Sequence, residues 1–152
     1  MLEQNNAIKA LKLKEFLPYR LSVLSNRISR SITERYEDKF KLSTAEWRTV
    51  AILGEESDLS AAEVADRAAM DKVAISRAVN NLILHGRLIR DFSEDDRRRS
   101  VLALSDKGRD IYQQIVPLAL SYEALLLDEL SREENQFLDS ILEKLYQIQL
   151  NA

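Results

Sequence analysis

The chain has 152 residues, of which 45% are hydrophobic and 31% charged, with no cysteine, three glycines and two prolines. This length suffices for one compact domain, and the scarcity of glycine and proline is typical of a mainly helical protein. The lack of cysteine excludes disulfides, thiolate nucleophiles and thiol redox switches. Because no apolar stretch is long enough for a membrane span or a secretory leader, we expect no membrane partner and a cytoplasmic location.

The net charge of −3 is unevenly distributed along the chain. Residues 1–60 and 61–109 carry net charges of +1 and +2, whereas residues 110–152 carry −6. The middle segment can therefore present a basic face to nucleic acid, although the acidic total predicts only modest non-specific affinity for DNA.

The first part of the chain predicts a long helix followed by a short one. Apolar residues recur at three- and four-residue steps over 8–37, with a kink or a helix start expected near Pro18. Ser43-Thr-Ala-Glu46 matches a capping box and predicts a second helix. Gly54 is expected at the C-terminus of that helix.

A helix-turn-helix is predicted next. Ser60-Ala-Ala-Glu63 is a second capping box, which opens a helix of about two turns through Ala69. Asp71 is a suitable N-cap for a helix over 72–85, which Gly86 ends. Two short helices joined by a tight turn are typical of this motif.

A hairpin is predicted after the helix pair. Residues 88–92 and 101–104 are β-prone, and they flank the charged loop 93–100, which would project as a wing. The elements described so far indicate a winged helix-turn-helix lobe.

Two further helices are predicted beyond the hairpin. Ser105 can cap a helix over 106–129, with Pro117 as its expected kink. Ser131-Arg-Glu-Glu134 is a third capping box and starts a last helix over 132–150. The predicted fold class is therefore mainly α, with a small β-hairpin wing and long helices at both ends of the chain.

The helix over 72–85 has two chemically distinct sides on a helical wheel. One side is apolar and must pack on the domain, and it comprises Ile75, Ala78, Val79, Leu82 and Ile83. The other side and its border carry the candidate DNA-binding residues Lys72, Val73, Ser76, Arg77, Asn80 and Asn81. Arginine reads guanine, asparagine reads adenine, serine reads either and valine meets a thymine methyl in the major groove, while Lys72 would meet phosphate. Any surface helix carries polar residues, but the capped helix before this one and the wing after it favour base recognition.

The tip of the wing carries the second set of candidate DNA-binding residues. Asp96 can hold one arginine by a charge-assisted pair, which leaves another free to enter the minor groove. The alternative is a solvated loop of nearly balanced charge. The predicted wing contacts are Asp96, Arg97, Arg98 and Arg99.

Several segments resemble the MarR family of bacterial transcriptional regulators. They are 71–82 (DKVAISRAVNNL), 86–90 (GRLIR), 96–108 (DRRRSVLALSDKG) and, near the second helix, 42–48 (LSTAEWR). The resemblance extends over nearly the whole chain and implies a homodimer, an operator with two related half-sites, and frequent release by a small aromatic ligand. Repression is the commoner activity in this family.

The resemblance also implies roles for individual residues. Ser76, Arg77 and Asn80 would read bases, and Arg97 and Arg98 would be wing contacts. Asp96 would orient one of these arginines. The sequence departs from many family members in having two asparagines at 80–81, so no operator sequence is implied.

The terminal helices predict a dimer independently of the resemblance. Residues 118–127 are apolar on too many sides for a lone surface helix. Packing against a second copy covers this surface and matches a palindromic double-stranded operator, whereas a larger intramolecular core is the alternative. We therefore expect residues 1–40 and 106–152 to form a dimerisation region around a DNA-binding lobe, 41–105, in one intertwined domain.

An effector site is a further expectation, implied by the family's ligand sites between the dimer helices and the DNA-binding lobe. An aromatic surface combined with guanidinium groups suits an aromatic carboxylate, and the candidate residues are Tyr19, Arg20, Trp47 and Arg48. The alternative for these residues is core packing and surface pairing.

Two other functions compete with DNA binding. One histidine, His85, with no cysteine, glycine-rich phosphate loop or metal-spaced cluster, predicts no enzyme, no cofactor and no metal site. A winged helix that binds protein instead of DNA is the stronger rival, because the C-terminal region is acidic. Salt-dependent binding to duplex DNA distinguishes the two.

Overall fold

The computed structural model describes residues 10–92, 95 and 98–149. Within this part of the chain lie six α-helices and one antiparallel hairpin. This confirms the predicted mainly α fold with a β-hairpin wing. In chain order the elements are a 3₁₀ turn (Leu13–Glu15), α1 (Leu17–Phe40), α2 (Thr44–Glu55), α3 (Ala61–Ala68), α4 (Lys72–Leu84), β1 (Leu88–Phe92), β2 (Ser100–Leu104), α5 (Asp106–Leu127) and α6 (Arg132–Tyr146).

The chain divides into two compact units, 1–44 and 45–152. In the first unit α1 begins at Leu17, with Pro18 in its opening turn, where no intrahelical amide bond is lost. The predicted helix over 8–37 therefore starts later, as the proline allowed. Only the C-terminal part of α1 contains buried side chains, Tyr36 and Phe40.

The core of the second unit is built from α2, α3, α4, the hairpin and α5. Val50 and Leu53 of α2 and Val64 of α3 are almost fully buried. The hairpin pairs Leu88 with Leu104, and β2 has a further partner on its other side in the Leu59–Leu102 bridge. The amide of Leu102 donates to the carbonyl of Leu59 over 2.7 Å.

Local capping signals place most helix starts correctly. Complete capping boxes open α3 at Ser60 and α6 at Ser131, as predicted. The side chains of Asp71 and Ser105 cap α4 and α5 by accepting from the third helical amide. The predicted box at Ser43 remains a prediction.

The expected role of Gly54 is wrong. Gly54 lies inside the last turn of α2, which continues to Glu55. A Cβ atom at Gly54 would lie 2.4 Å from the ring of Tyr112 on α5. Glycine at this position therefore allows α5 to approach α2, and it does not terminate the helix.

The C-terminal helices are shorter than expected. α5 ends at Leu127 instead of 129, with Pro117 inside it, and α6 ends at Tyr146. Residue 150, the expected end of the last helix, lies outside the described part of the chain. None of the described helices combines the length and apolarity that crossing a membrane requires.

Candidate nucleic-acid interface

The second helix of the motif, α4, is buried on one side and exposed on the other. Ile75, Val79 and Leu82 have no accessible surface, and Ala78 is 5% exposed. This packing fixes which side of the helix faces outward. The predicted DNA-binding residues Lys72, Val73, Ser76, Arg77 and Asn80 are all exposed.

The start of α4 is capped by Asp71, and Lys72 and Val73 in its first turn are exposed. Asp71 accepts a hydrogen bond from the amide of Ala74 over 2.8 Å. The first two turns thus present a hydroxyl, a guanidinium and an amide side chain from Ser76, Arg77 and Asn80. These groups can hydrogen-bond base edges without rearranging the helix.

Asn81 is exposed as well, but it also has a side-chain contact with another helix. Its side-chain amide donates to a carboxylate oxygen of Glu46 on α2, and Glu46 is only 5% exposed. A buried carboxylate needs such a donor to offset the loss of hydration. Asn81 therefore connects α4 to α2, and sequence patterns do not single out Glu46 for this role.

The C-terminal end of α4 is held by the first turn of α5. Lys107 Nζ donates to the carbonyl of His85 over 3.1 Å, and Ser105 Oγ donates to the carbonyl of Gly86 over 2.6 Å. The amide of Ser105 donates to the carbonyl of Arg87 over 3.1 Å. A Cβ atom at Gly108 would lie 2.0 Å from that last carbonyl oxygen, so the approach requires glycine.

The first helix of the motif, α3, is held at its own C-terminus. Arg48 Nη1 donates to the carbonyl of Ala68 over 3.2 Å. Carbonyls at a helix end lack intrahelical partners and carry partial negative charge, so a guanidinium there is favourable. Arg48, which was predicted to contact a ligand, thus has a structural contact in the second unit.

The wing is joined to the start of α3 by an ion pair. Arg99 Nη2 donates to both carboxylate oxygens of Glu63, the third residue of α3. A hydrogen bond from the backbone of Ser60, together with this arginine, lowers the pKa of the Glu63 carboxyl. The sequence identifies Glu63 only as half of a capping box.

The other predicted wing residues are placed only in part. Arg98 lies in the turn before β2 and is exposed. Asp96 and Arg97 lie outside the described residues, so the predicted pairing of Asp96 with an arginine remains a prediction.

The predicted effector residues divide between the two units. Tyr19 and Arg20 line a cavity of 430 Å³ in the first unit, together with Lys14, Leu17, Leu21, Val23, Leu24 and Arg27. Trp47 and Arg48 are partly buried in the second unit. The effector site therefore remains a prediction. No group of three or more histidine, aspartate or glutamate residues in the described part of the chain is suited to holding a metal ion.

The comparisons with known proteins agree with this geometry. Residues 40–99 match the model of the MarR family. The structure resembles a MarR/EmrR family transcriptional regulator from Acinetobacter sp. ADP1, with a TM-score of 0.81 and 26% identity over 90% of this chain and 96% of that one. None of the curated proteins matches the sequence.

Two more distant structures share the fold. A MarR-family regulator from Listeria monocytogenes, in complex with a 26mer DNA, is 18% identical over 90% of this chain and 89% of that one, with a TM-score of 0.77. BpsR of Bordetella bronchiseptica, whose DNA binding is regulated by 6-hydroxynicotinic acid, is 19% identical over 93% and 100%, with a TM-score of 0.78.

The α3–α4 pair followed by the β1–β2 hairpin defines a winged helix-turn-helix protein. Residues 40–99 thus match the model of the MarR family, and the fold over nearly the whole chain is that of a MarR/EmrR family transcriptional regulator.

Proposed function

We propose that this protein is a sequence-specific double-stranded DNA-binding transcriptional regulator, and that it acts as a repressor. The observation that carries the proposal is the two-sided burial of α4. Its apolar side is fixed in the core, while Ser76, Arg77 and Asn80 are exposed in its first half. A non-catalytic regulator of this kind works where the DNA is, in the cytoplasm.

The proposed complex places α4 in the major groove with its N-terminal half toward the bases. Arg77 pairs with guanine and Asn80 with adenine, while Lys72 meets phosphate. The wing lies over the adjacent minor groove, where Arg98 and Arg97 supply positive charge. A Listeria monocytogenes regulator with the same fold forms a complex with a 26mer DNA, which supports DNA binding by this fold.

We propose that the functional form is a homodimer on a palindromic operator. In α6, apolar residues recur at three- and four-residue steps from Leu138 to Leu145, yet the helix contains no buried residue. Ile141 is 54% exposed and Phe137 is 66% exposed. A contiguous apolar face of this kind is typical of a subunit interface, and a second copy with two-fold symmetry covers it while presenting α4 twice.

Release of the operator by a small aromatic carboxylate is the third part of the proposal. BpsR, which has the same fold, is regulated by a hydroxylated aromatic acid. In this chain the phenol of Tyr19 and the guanidinium of Arg20 line one cavity, and Arg27 adds a second guanidinium. These groups suit an aromatic anion. A thermal-shift screen of phenolic and cinnamic acids tests this part, and hits count only when they also release DNA.

Duplex binding as a function of salt tests the core of the proposal. The wild-type protein should shift a DNA fragment from its own promoter, and the affinity should fall steeply as salt rises. Absence of binding to any genomic fragment at low salt would favour the protein-binding alternative.

The variant Arg77→Ala, measured in the same binding experiment, tests whether α4 reads the bases. We expect a loss of about 1–3 kcal/mol in operator binding and a relaxed base preference, because one base contact is removed. Arg132→Ala is the matched control, since it removes the same charge from an exposed residue at the start of α6. Equal losses in the two variants would contradict the assignment of α4 to base reading.

A further inference from the structure

The ion pair between Arg99 and Glu63 joins two functional elements that are distant in sequence. The two residues are separated by 36 positions, yet one guanidinium nitrogen contacts both carboxylate oxygens. Their side chains are 45% and 39% exposed, so the contact lies at the surface, between the base of the wing and the start of α3.

The carboxylate of Glu63 is oriented by the helix start and does not depend on Arg99 for its position. Its Oε2 accepts from the amide of Ser60 over 2.7 Å, and its own amide donates to Ser60 Oγ over 3.2 Å. Pairing a flexible side chain with a group that is already fixed costs less conformational entropy than fixing two mobile ones. Glu63 is therefore a rigid acceptor for the arginine.

A second contact reinforces the first on the same side of the hairpin. The amide of Asp58 donates to the carbonyl of Leu102 over 3.0 Å, and the amide of Leu102 donates to the carbonyl of Leu59 over 2.7 Å. The segment from Asp58 to Glu63 thus holds β2 through backbone hydrogen bonds at Leu102, and it holds the residue before β2, Arg99, through the side chain of Glu63.

We infer that Arg99 is a positioning residue, which together with Glu63 anchors the wing to α3, and that it does not contact DNA itself. The inference rests on the proposed DNA-binding function and deepens it. Arg98 and Arg97 are left to contact the minor groove, and Glu63 becomes a residue on which operator affinity depends although it carries the wrong charge to bind DNA.

Whether Glu63→Gln weakens or strengthens operator binding distinguishes a positioning role of Arg99 from direct contact with DNA. Glutamine can still complete the capping box, so α3 keeps its start. If Arg99 anchors the wing, the variant should bind the operator about fivefold more weakly, the order expected for a well-formed exposed ion pair. If Arg99 contacts phosphate, the variant should bind more tightly, because a competing carboxylate and a repulsive charge are both removed.

A double-mutant cycle provides a second, independent readout. Arg99→Gln and Glu63→Gln should lose similar affinity, and the combined variant should lose no more than either one, because both break the same pair. The loss caused by Arg98→Ala should also be smaller in the Glu63→Gln background, since an unanchored wing no longer presents Arg98. Asp66→Asn, which neutralises another exposed acid of α3, is the matched control and should not show this coupling.

Thermal unfolding of each variant separates wing positioning from loss of the fold. Unchanged or tighter operator binding by Glu63→Gln, or additive losses in the cycle, would overturn the inference. If the wild-type protein binds no duplex DNA, the proposed function fails. If the wild-type protein binds DNA but these variants do not behave as expected, only the inference that Arg99 and Glu63 position the wing is wrong.

Discussion

Arg77 on α4 and Arg99 at the base of the wing are the same residue type in the same motif, but their side chains have different surroundings. Arg77 is exposed on a helix whose opposite side is packed in the core. Arg99 is held by a carboxylate of another helix. The difference leads us to propose separate roles for the two arginines: Arg77 reads bases, whereas Arg99 positions the wing.

The supports of the two elements also differ in kind. α4 is fixed by fully buried side chains, by the Asn81–Glu46 hydrogen bond and by the first turn of α5. Among the described residues, the wing is held by the pairing of β1 with β2, by the backbone hydrogen bonds at Leu102 and by the exposed Arg99–Glu63 ion pair. Changes under α4 should therefore cost global stability, whereas changes under the wing should chiefly cost DNA affinity.

The largest loss of stability is expected from a change in the buried packing beneath α4. Ile75→Ala removes a fully buried side chain and should lower the free energy of unfolding by about 2–5 kcal/mol. Denaturant unfolding followed by circular dichroism measures the change. Val73→Ala, on the exposed side of the same helix, is the control and should stay within about 0.5 kcal/mol. Comparable losses of stability in the two variants would mean that α4 does not have one buried and one exposed side.

Disrupting the contact between α5 and the end of α4 should have the next largest effect on stability. Gly108→Ala places a methyl group against the backbone carbonyl of Arg87 and should destabilise the protein by about 1–3 kcal/mol. Gly86→Ala is an instructive comparison, because that position has open space but a φ of +69°. Its cost comes from backbone conformation alone and should be about 1 kcal/mol. A neutral Gly108→Ala variant would argue against the close contact.

Substitutions of the two adjacent asparagines of α4 should differ in their effect on stability, and this difference should be smaller than the effects above. Asn81→Ala leaves the buried carboxylate of Glu46 without this donor and should cost about 1–2 kcal/mol of stability. Asn80→Ala should leave stability within about 0.5 kcal/mol but weaken operator binding. Thermal unfolding and a mobility shift on both variants are sufficient. Equal stability losses would show that Asn81 does not connect α4 to α2.

The smallest expected effect on stability is the pH dependence of the wing anchor. Because the folded-state pKa of Glu63 is lowered, its contribution is fully present above the ordinary value of 4.5 and is lost as pH falls through the folded value. The stability difference between wild type and Glu63→Gln should therefore be greatest near neutral pH and shrink in acid. Unfolding titrations at several pH values measure it. A difference that grows as the pH falls would have the wrong sign.

Much of the fold is predictable because its signals are local. The capping boxes at Ser60 and Ser131 and the cap at Asp71 each lie within four residues of the helix they start. The exposed face of α4 follows from its periodicity alone.

The supports of the site are not predictable in this way because they are long-range. Asn81 and Glu46 are 35 positions apart, and Arg99 and Glu63 are 36 apart. Each residue has a plausible local role that conceals the distant one: Glu46 and Glu63 both occupy the last position of a capping-box pattern. Gly54 is a similar case, since only the ring of Tyr112 explains why a side chain is absent there.

The contact of α5 with the end of α4 also sets a limit on chain length. Three consecutive carbonyls, from His85 to Arg87, meet the first turn of α5. One residue inserted after Leu104 would turn α5 by about 100° and move Lys107 away from its acceptor. An insertion between Phe92 and Ser100, by contrast, leaves the pairing of Leu88 with Leu104 in register. An insertion at that point would therefore lengthen the wing without moving α4, the proposed recognition helix.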